Sequence, residues 1–226
     1  MILKKAHDMK SADLRSSLVL YAVTDRAWIG SGFPCKSLSE AVSHAIEGGA
    51  TCIQLREKNL DEETFLSEAI EIGKLCASKK IPLIINDSVN VARESGADGV
   101  HIGQSDISLA EARRVLGPDK IIGVSCQTEA QAVQAERDGA DYLGVGAVFP
   151  TSSKSDADSV SLEMLKSICG AVAIPVVAIG GISRTNAPQL AGSGIAGISV
   201  ISAIFAQADI VSSARELLHI AQTITA

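Results

Sequence analysis

Short apolar runs bounded by glycine or proline return about every 20 to 25 residues along this chain, and that rhythm constrains the fold more than any other feature. Four of them share a small turn followed by a strand-like run: "GGATCIQL" from 48, "SGADGVHIG" from 95, "DGADYLGVG" from 138 and "SGIAGISV" from 193, starting 47, 43 and 55 residues apart. Between them lie "IPLIIND" from 81, "KIIGVS" from 120 and "IPVVAIGG" from 174, and "SLVLYAVTD" precedes them all. Runs of Val and Ile this short, punctuated this way, read as strands buried on both faces. The stretches between them have helical periodicity. Leu38, Ala41, Val42, Ala45 and Ile46 follow the i, i+3, i+4, i+7, i+8 rule, and Ala214, Leu217, Leu218 and Ala221 follow it in part. Ser37 and Ser108, each with a glutamate three residues on (Glu40, Glu111), have the spacing of a capping box.

Eight strands each followed by a helix require parallel pairing with right-handed crossovers, and the economical closed solution is a single (β/α)8 TIM barrel of the α/β class. The expected organisation is one domain over residues 1–226, with 1–17 as an N-terminal extension or helix and 18–226 as the barrel. An open doubly wound sheet is the alternative. Composition agrees: with 226 residues, 46% hydrophobic and 20% charged, the chain can bury a full core. A formal charge of −6 and only 3% aromatic residues argue against a nucleic-acid partner, since phosphate backbones are held by basic stripes. The five cysteines form no CxxC pair, which points away from a zinc site or disulfide framework and toward a reducing cytoplasm. No stretch approaches the roughly 20 apolar residues of a membrane helix, so a soluble cytoplasmic protein is expected.

A barrel places its chemistry where strands end. Arg56 and Lys58 follow strand 2, Asn86 and Asp87 strand 3, Gln104 and Asp106 strand 4, Ser125 strand 5, and "FPTSSK", ending in Lys154, strand 6. Gly180 and Gly181 follow strand 7, where backbone N–H groups could approach an anion, and Ser202 opens a short helix after strand 8. Each has a plainer reading: Asp87 and Asp106 as helix caps, Arg56 and Lys58 as a solvated pair around Glu57. His101, inside "VHIG", reads as a hydrogen-bonded strand residue facing the barrel interior in preference to a general base. Trp28 and Phe33 fit either a lid over an apolar ring or a packed surface loop. Taken together, two carboxylates beside several cations have the hard-oxygen chemistry that magnesium shares with substrate phosphates.

The blocks "QLREK", "NDSVNVA", "GVHIGQSD", "GVS", "DYLGVGAVFPTSSK", "AIGGI" and "SVISAI", in this order over roughly residues 18 to 206, resemble thiamine phosphate synthase. The resemblance implies a magnesium-assisted transferase joining hydroxymethylpyrimidine diphosphate to hydroxyethylthiazole phosphate or its carboxylated form, by a dissociative substitution that releases diphosphate. It implies that Arg56, Lys58, Asn86 and Lys154 hold the diphosphate, that Asp87 and Asp106 bind magnesium, and that Gln54 and Ser125 line the substrate site. Thr151, Ser153, Gly181, Ile201 and Ser202 would meet the thiazole phosphate. Arg56, Lys58, Ser125 and Lys154 are the expected catalytic groups. Ser153 stands where the family commonly has Thr, which keeps the hydroxyl and loses a methyl. A thiazole tautomerase-like barrel and a non-catalytic binder of a thiamine precursor are the alternatives. The partners implied are these small molecules, with a homo-oligomer left open.

Overall fold

In the computed structural model, which describes residues 11–151 and 159–226, eight parallel strands close into a barrel in sequence order. They are β1 (Leu20–Val23), β2 (Cys52–Leu55), β3 (Leu83–Asn86), β4 (Gly99–Ile102), β5 (Ile121–Cys126), β6 (Tyr142–Val145), β7 (Val176–Ile179) and β8 (Gly197–Val200). Pairing of β1 with β8, Leu20 opposite Ile198, completes the ring. Closure leaves no unpaired edge, so every strand is buried on both faces and is mostly apolar, with Gln54, Asn86, His101 and Ser199 as buried polar exceptions.

Successive side chains point to opposite faces, which sorts each strand between two cores. One face of the strands packs against the surrounding helices α2 (Leu38–Glu47), α3 (Glu62–Lys79), α4 (Val89–Ser95), α5 (Leu109–Leu116), α6 (Glu129–Arg137), α7 (Leu162–Ala171), α8 (Ser202–Phe205) and α9 (Ile210–Ile224). The other face fills the barrel, where Tyr21, Cys52, Ile84, Tyr142 and Val177 form a separate cluster with Leu14 and Leu18. Leu14 comes from α1 (Ser11–Ser17), which precedes the barrel.

The alternation departs from expectation once. Between β7 and β8 the described chain forms a 3-10 turn, Ala187–Leu190, instead of an α-helix. Proline at 188 and Gly192 and Gly194, both at positive φ, leave too little uninterrupted chain for an α-helix there. The predicted caps also resolve in part. Ser37 and Ser108 each accept a hydrogen bond from the backbone N–H of Glu40 and Glu111. The Glu40 carboxylate, however, accepts from Lys36 N at 2.8 Å, not from the cap residue. The reciprocal box is found instead at Thr128 and Gln131.

Candidate active site

The C-terminal ends of the strands surround a cavity of about 580 Å³. Gln54, Arg56, Lys58, Asn86, Asp87, Gln104, Asp106, Ser125, Thr151, Gly180, Gly181, Ile201 and Ser202 all line it. Ser153 and Lys154 lie outside the described residues. Trp28 and Phe33 pack edge to face with ring centroids 5.8 Å apart, Trp28 rests on the helix-facing core, and neither borders the cavity.

The cations owe their placement to β2. Just past the end of β2, Arg56 and Lys58 line the cavity and Glu57 between them does not. Glu57 turns outward to Arg26, which donates to it at 3.1 Å, and its side chain is 4% exposed. Burial pushes the Glu57 carboxyl above its usual range, against the pull of Arg26. The Arg56 backbone N–H donates to buried Thr24 Oγ1 at 3.0 Å, tying the end of β2 to β1. Among the described residues Arg56 Nε is buried without a hydrogen-bond partner, an unused donor on a residue of the cavity wall.

Neither aspartate caps a helix. Ser88 and Ser108 are the N-caps of α4 and α5. Asp87 is held at φ 63°, where Asn and Asp are the usual non-glycine residues, and its N–H donates to His101 O at 2.9 Å. Asp106 accepts the Gly103 N–H at 2.7 Å through Oδ2. Both border the one cavity from adjacent loops. Among the described residues no cluster of three or more His, Cys, Asp or Glu side chains converges to hold a metal by itself. Two carboxylates without a full protein cage are the kind of donor set that suits magnesium carried in with substrate phosphates.

Gly180 and Gly181 have φ of 89° and 65°. A Cβ at Gly181 would run into the carbonyls of Phe149 and Pro150, and one at Gly180 would meet Ala147 Cβ at 2.5 Å. The glycines thus let the loop after β7 lie against the one after β6, a packing role beside the anion-binding one expected from the sequence.

His101 is the hydrogen-bonded strand residue expected from the sequence, but the polar floor to which it belongs was not. Tyr21, Tyr142 and His101 sit inside the barrel beneath the cavity, 1%, 0% and 7% exposed, and hydrogen-bond to one another and to Gln54 and Ser125. Burial holds both phenols well above their ordinary pKa, so they stay protonated. Gln104 Nε2 donates to Ser125 O at 2.7 Å from the next loop. The four buried cysteines and half-buried Cys169 are free thiols and none lines the cavity.

The family profile described as thiamine monophosphate synthase matches residues 20–204. The thiamine-phosphate synthase of Ruminiclostridium cellulolyticum is 50% identical over 201 residues, 89% of this chain and 94% of that one. That of Clostridium acetobutylicum is 48% identical over 212 residues, 94% and 97% of the two chains. Among solved structures, thiamine phosphate pyrophosphorylase from Pyrococcus furiosus superposes with a TM-score of 0.86 at 38% identity, covering 94% of this chain and all of that one.

Proposed function

The chain belongs to the thiamine monophosphate synthase family, a family of transferases, and from that premise we propose that it joins hydroxymethylpyrimidine diphosphate to hydroxyethylthiazole phosphate in the cytoplasm. The C–O bond to diphosphate breaks with its electron pair leaving on oxygen, the thiazole nitrogen forms the new C–N bond, and thiamine phosphate and diphosphate result. The observation that carries the reading is the double character of one cavity rim. Cationic Arg56 and Lys58 lie on the β2 side, whereas the loops after β7 and β8 offer glycine backbone and the Ile201 to Ser202 turn. Two anions of different charge call for two such sites.

In this reading Arg56, Lys58, Asn86 and Lys154 hold the diphosphate and stabilise the charge that grows on it as the bond breaks. Asp87 and Asp106 would hold magnesium, which when bound supplies positive charge to the leaving group. Gln54 and Ser125 orient the pyrimidine, and Thr151, Ser153, Gly181, Ile201 and Ser202 receive the thiazole phosphate. No nucleophile or dedicated base is required, because an electron-rich aminopyrimidine stabilises the cation left behind, and catalysis is then orientation and charge stabilisation. The test is to mix both substrates with magnesium and follow diphosphate release together with thiamine phosphate by mass. Stoichiometric appearance of both supports the transferase. Binding of either substrate with no diphosphate released would overturn it in favour of a binder.

A further inference from the structure

Five side chains from five strands make an unbroken hydrogen-bond chain across the barrel. Gln54 Nε2 donates to Tyr21 Oη at 2.7 Å, the two tyrosine hydroxyls are 2.8 Å apart, Tyr142 Oη lies 2.9 Å from His101 Nδ1, and His101 Nε2 lies 2.9 Å from Ser125 Oγ. This layer would ordinarily be filled by branched aliphatic side chains. Room for the rings is made by glycines on neighbouring strands. A Cβ at Gly123 would enter the Tyr142 ring, and one at Gly144 would come within 2.9 Å of His101 Cε1.

Proton counting gives the chain a direction. Tyr21 accepts from Gln54, so its single hydroxyl proton goes to Tyr142, and Tyr142 gives its own to His101 Nδ1. The imidazole proton then sits on Nε2 and is donated to Ser125 Oγ. The Ser125 hydroxyl proton is left for the cavity at one end; at the other, with one Nε2 proton given to Tyr21, the Gln54 amide oxygen is left beside a second N–H. The two ends therefore differ, Ser125 presenting a proton and Gln54 its carbonyl oxygen, and the relay between them is what keeps them so.

We propose that Tyr21, Tyr142 and His101 are positioning residues that fix Ser125 as a donor and Gln54 as an acceptor, so that the cavity selects a heteroaromatic ring offering an N–H donor on one edge and an unprotonated nitrogen on another. The inference rests on the pyrimidine being the ring that Gln54 and Ser125 hold. An aminopyrimidine has both features. A ring without the amino group leaves the Gln54 oxygen unmatched.

Two measurements test it. In protein labelled with ¹⁵N-histidine, long-range proton–nitrogen spectra at neutral pH should show His101 protonated on Nε2 and bare on Nδ1. A proton on Nδ1 overturns the direction assigned, and needs no variant that has to fold. The second is a double-mutant cycle read by calorimetric titration with the pyrimidine diphosphate and by KM. Tyr21→Phe should weaken pyrimidine binding about tenfold in the native background and by a clearly smaller factor in a Ser125→Ala background, where only its direct hold on Gln54 is left to lose, with the thiazole phosphate KM unchanged by Tyr21→Phe in both. Equal losses in the two backgrounds overturn the relay. Titration reports on the relay without turnover, so failure to form thiamine phosphate would count against the transferase reading alone.

Discussion

Arg26, in the 3-10 turn Arg26–Trp28 after β1, donates from Nε to Glu57 Oε2 at 3.1 Å while its Nη2 reaches both oxygens of Glu68 at 2.6 Å. One guanidinium thus joins the loop after β1, the loop after β2 and helix α3. Its consequence lies on the far side of the chain: with Glu57 drawn outward, its neighbours Arg56 and Lys58 both border the cavity. A carboxylate free to swing inward would neutralise the cations intended for substrate.

Arg26→Ala should therefore act on catalysis from outside the cavity. We expect kcat/KM for the pyrimidine diphosphate to fall about tenfold, together with a stability loss of about 1 kcal/mol, kept small because the guanidinium is half exposed. Steady-state kinetics and urea denaturation measure the two. Adding Glu57→Gln should restore most of the activity. If the double variant is as slow as Arg26→Ala, the ion pair does not guide the cations.

The same pair gives a pH signature. Burial sets the folded pKa of Glu57 above its unfolded value. Folding then takes up a proton between the two values. The contribution is full below the ordinary glutamate pKa and is lost as pH rises through the raised one. Glu57→Gln should remove that loss, so the variant gains on the native protein as pH rises across this window. Asp61, Glu111, Glu163 and Asp209, held low chiefly by hydrogen bonds, impose the opposite slope on both proteins, which makes the difference between the two profiles the quantity to read. A difference of the other sign would show the attraction of Arg26 outweighing burial.

The eight strands and the cavity residues at their ends were legible because parallel strands buried on both faces leave a plain signature, and because a barrel ties chemistry to strand termini. Arg56, Asn86, Asp87 and Ser125 could be found by that rule alone, whereas Gln54, inside β2, needed the family resemblance. Tyr21 and Tyr142 could not be found that way, since each sits within an apolar run where one aromatic looks like core, and His101 could be read as a hydrogen-bonded strand residue but not joined to its partners. The clue available was glycine: Gly123 and Gly144 lie in strands where bulk is expected, and a strand glycine often marks the close approach of something else. Arg26 and Glu57 are 31 residues apart in sequence, and no local pattern joins them.

Asp87 and Asp106 can be tested without disturbing the loops that carry them. Asparagine tolerates the left-handed backbone at 87, and its side-chain oxygen can still accept the Gly103 N–H at 106. Asp87→Asn and Asp106→Asn should each keep the native circular dichroism and lower turnover at least about a hundredfold at limiting magnesium, with part of it regained as magnesium is raised. Undiminished turnover in both would remove the carboxylates from the metal.

In the proposed reaction the cations differ from the carboxylates in when they act. Charge on the departing diphosphate grows as the C–O bond stretches, so a donor aimed at it is worth more in the transition state than in the bound substrate. Lys58→Ala and Lys154→Ala should each lower kcat by roughly a hundredfold, about 3 kcal/mol, with a smaller change in the pyrimidine diphosphate KM. Arg56→Lys keeps the charge and loses the planar fork, and with it the donor Nε that finds no partner within the described residues. Its kcat should fall nearly as far as in an alanine variant if that fork grips a phosphate edge. Measuring kcat and both KM values for the three variants, with circular dichroism as the folding control, decides the matter. Near-normal kcat in all three would make Arg56 and Lys58 a solvated rim and leave bond cleavage without its electrostatic source.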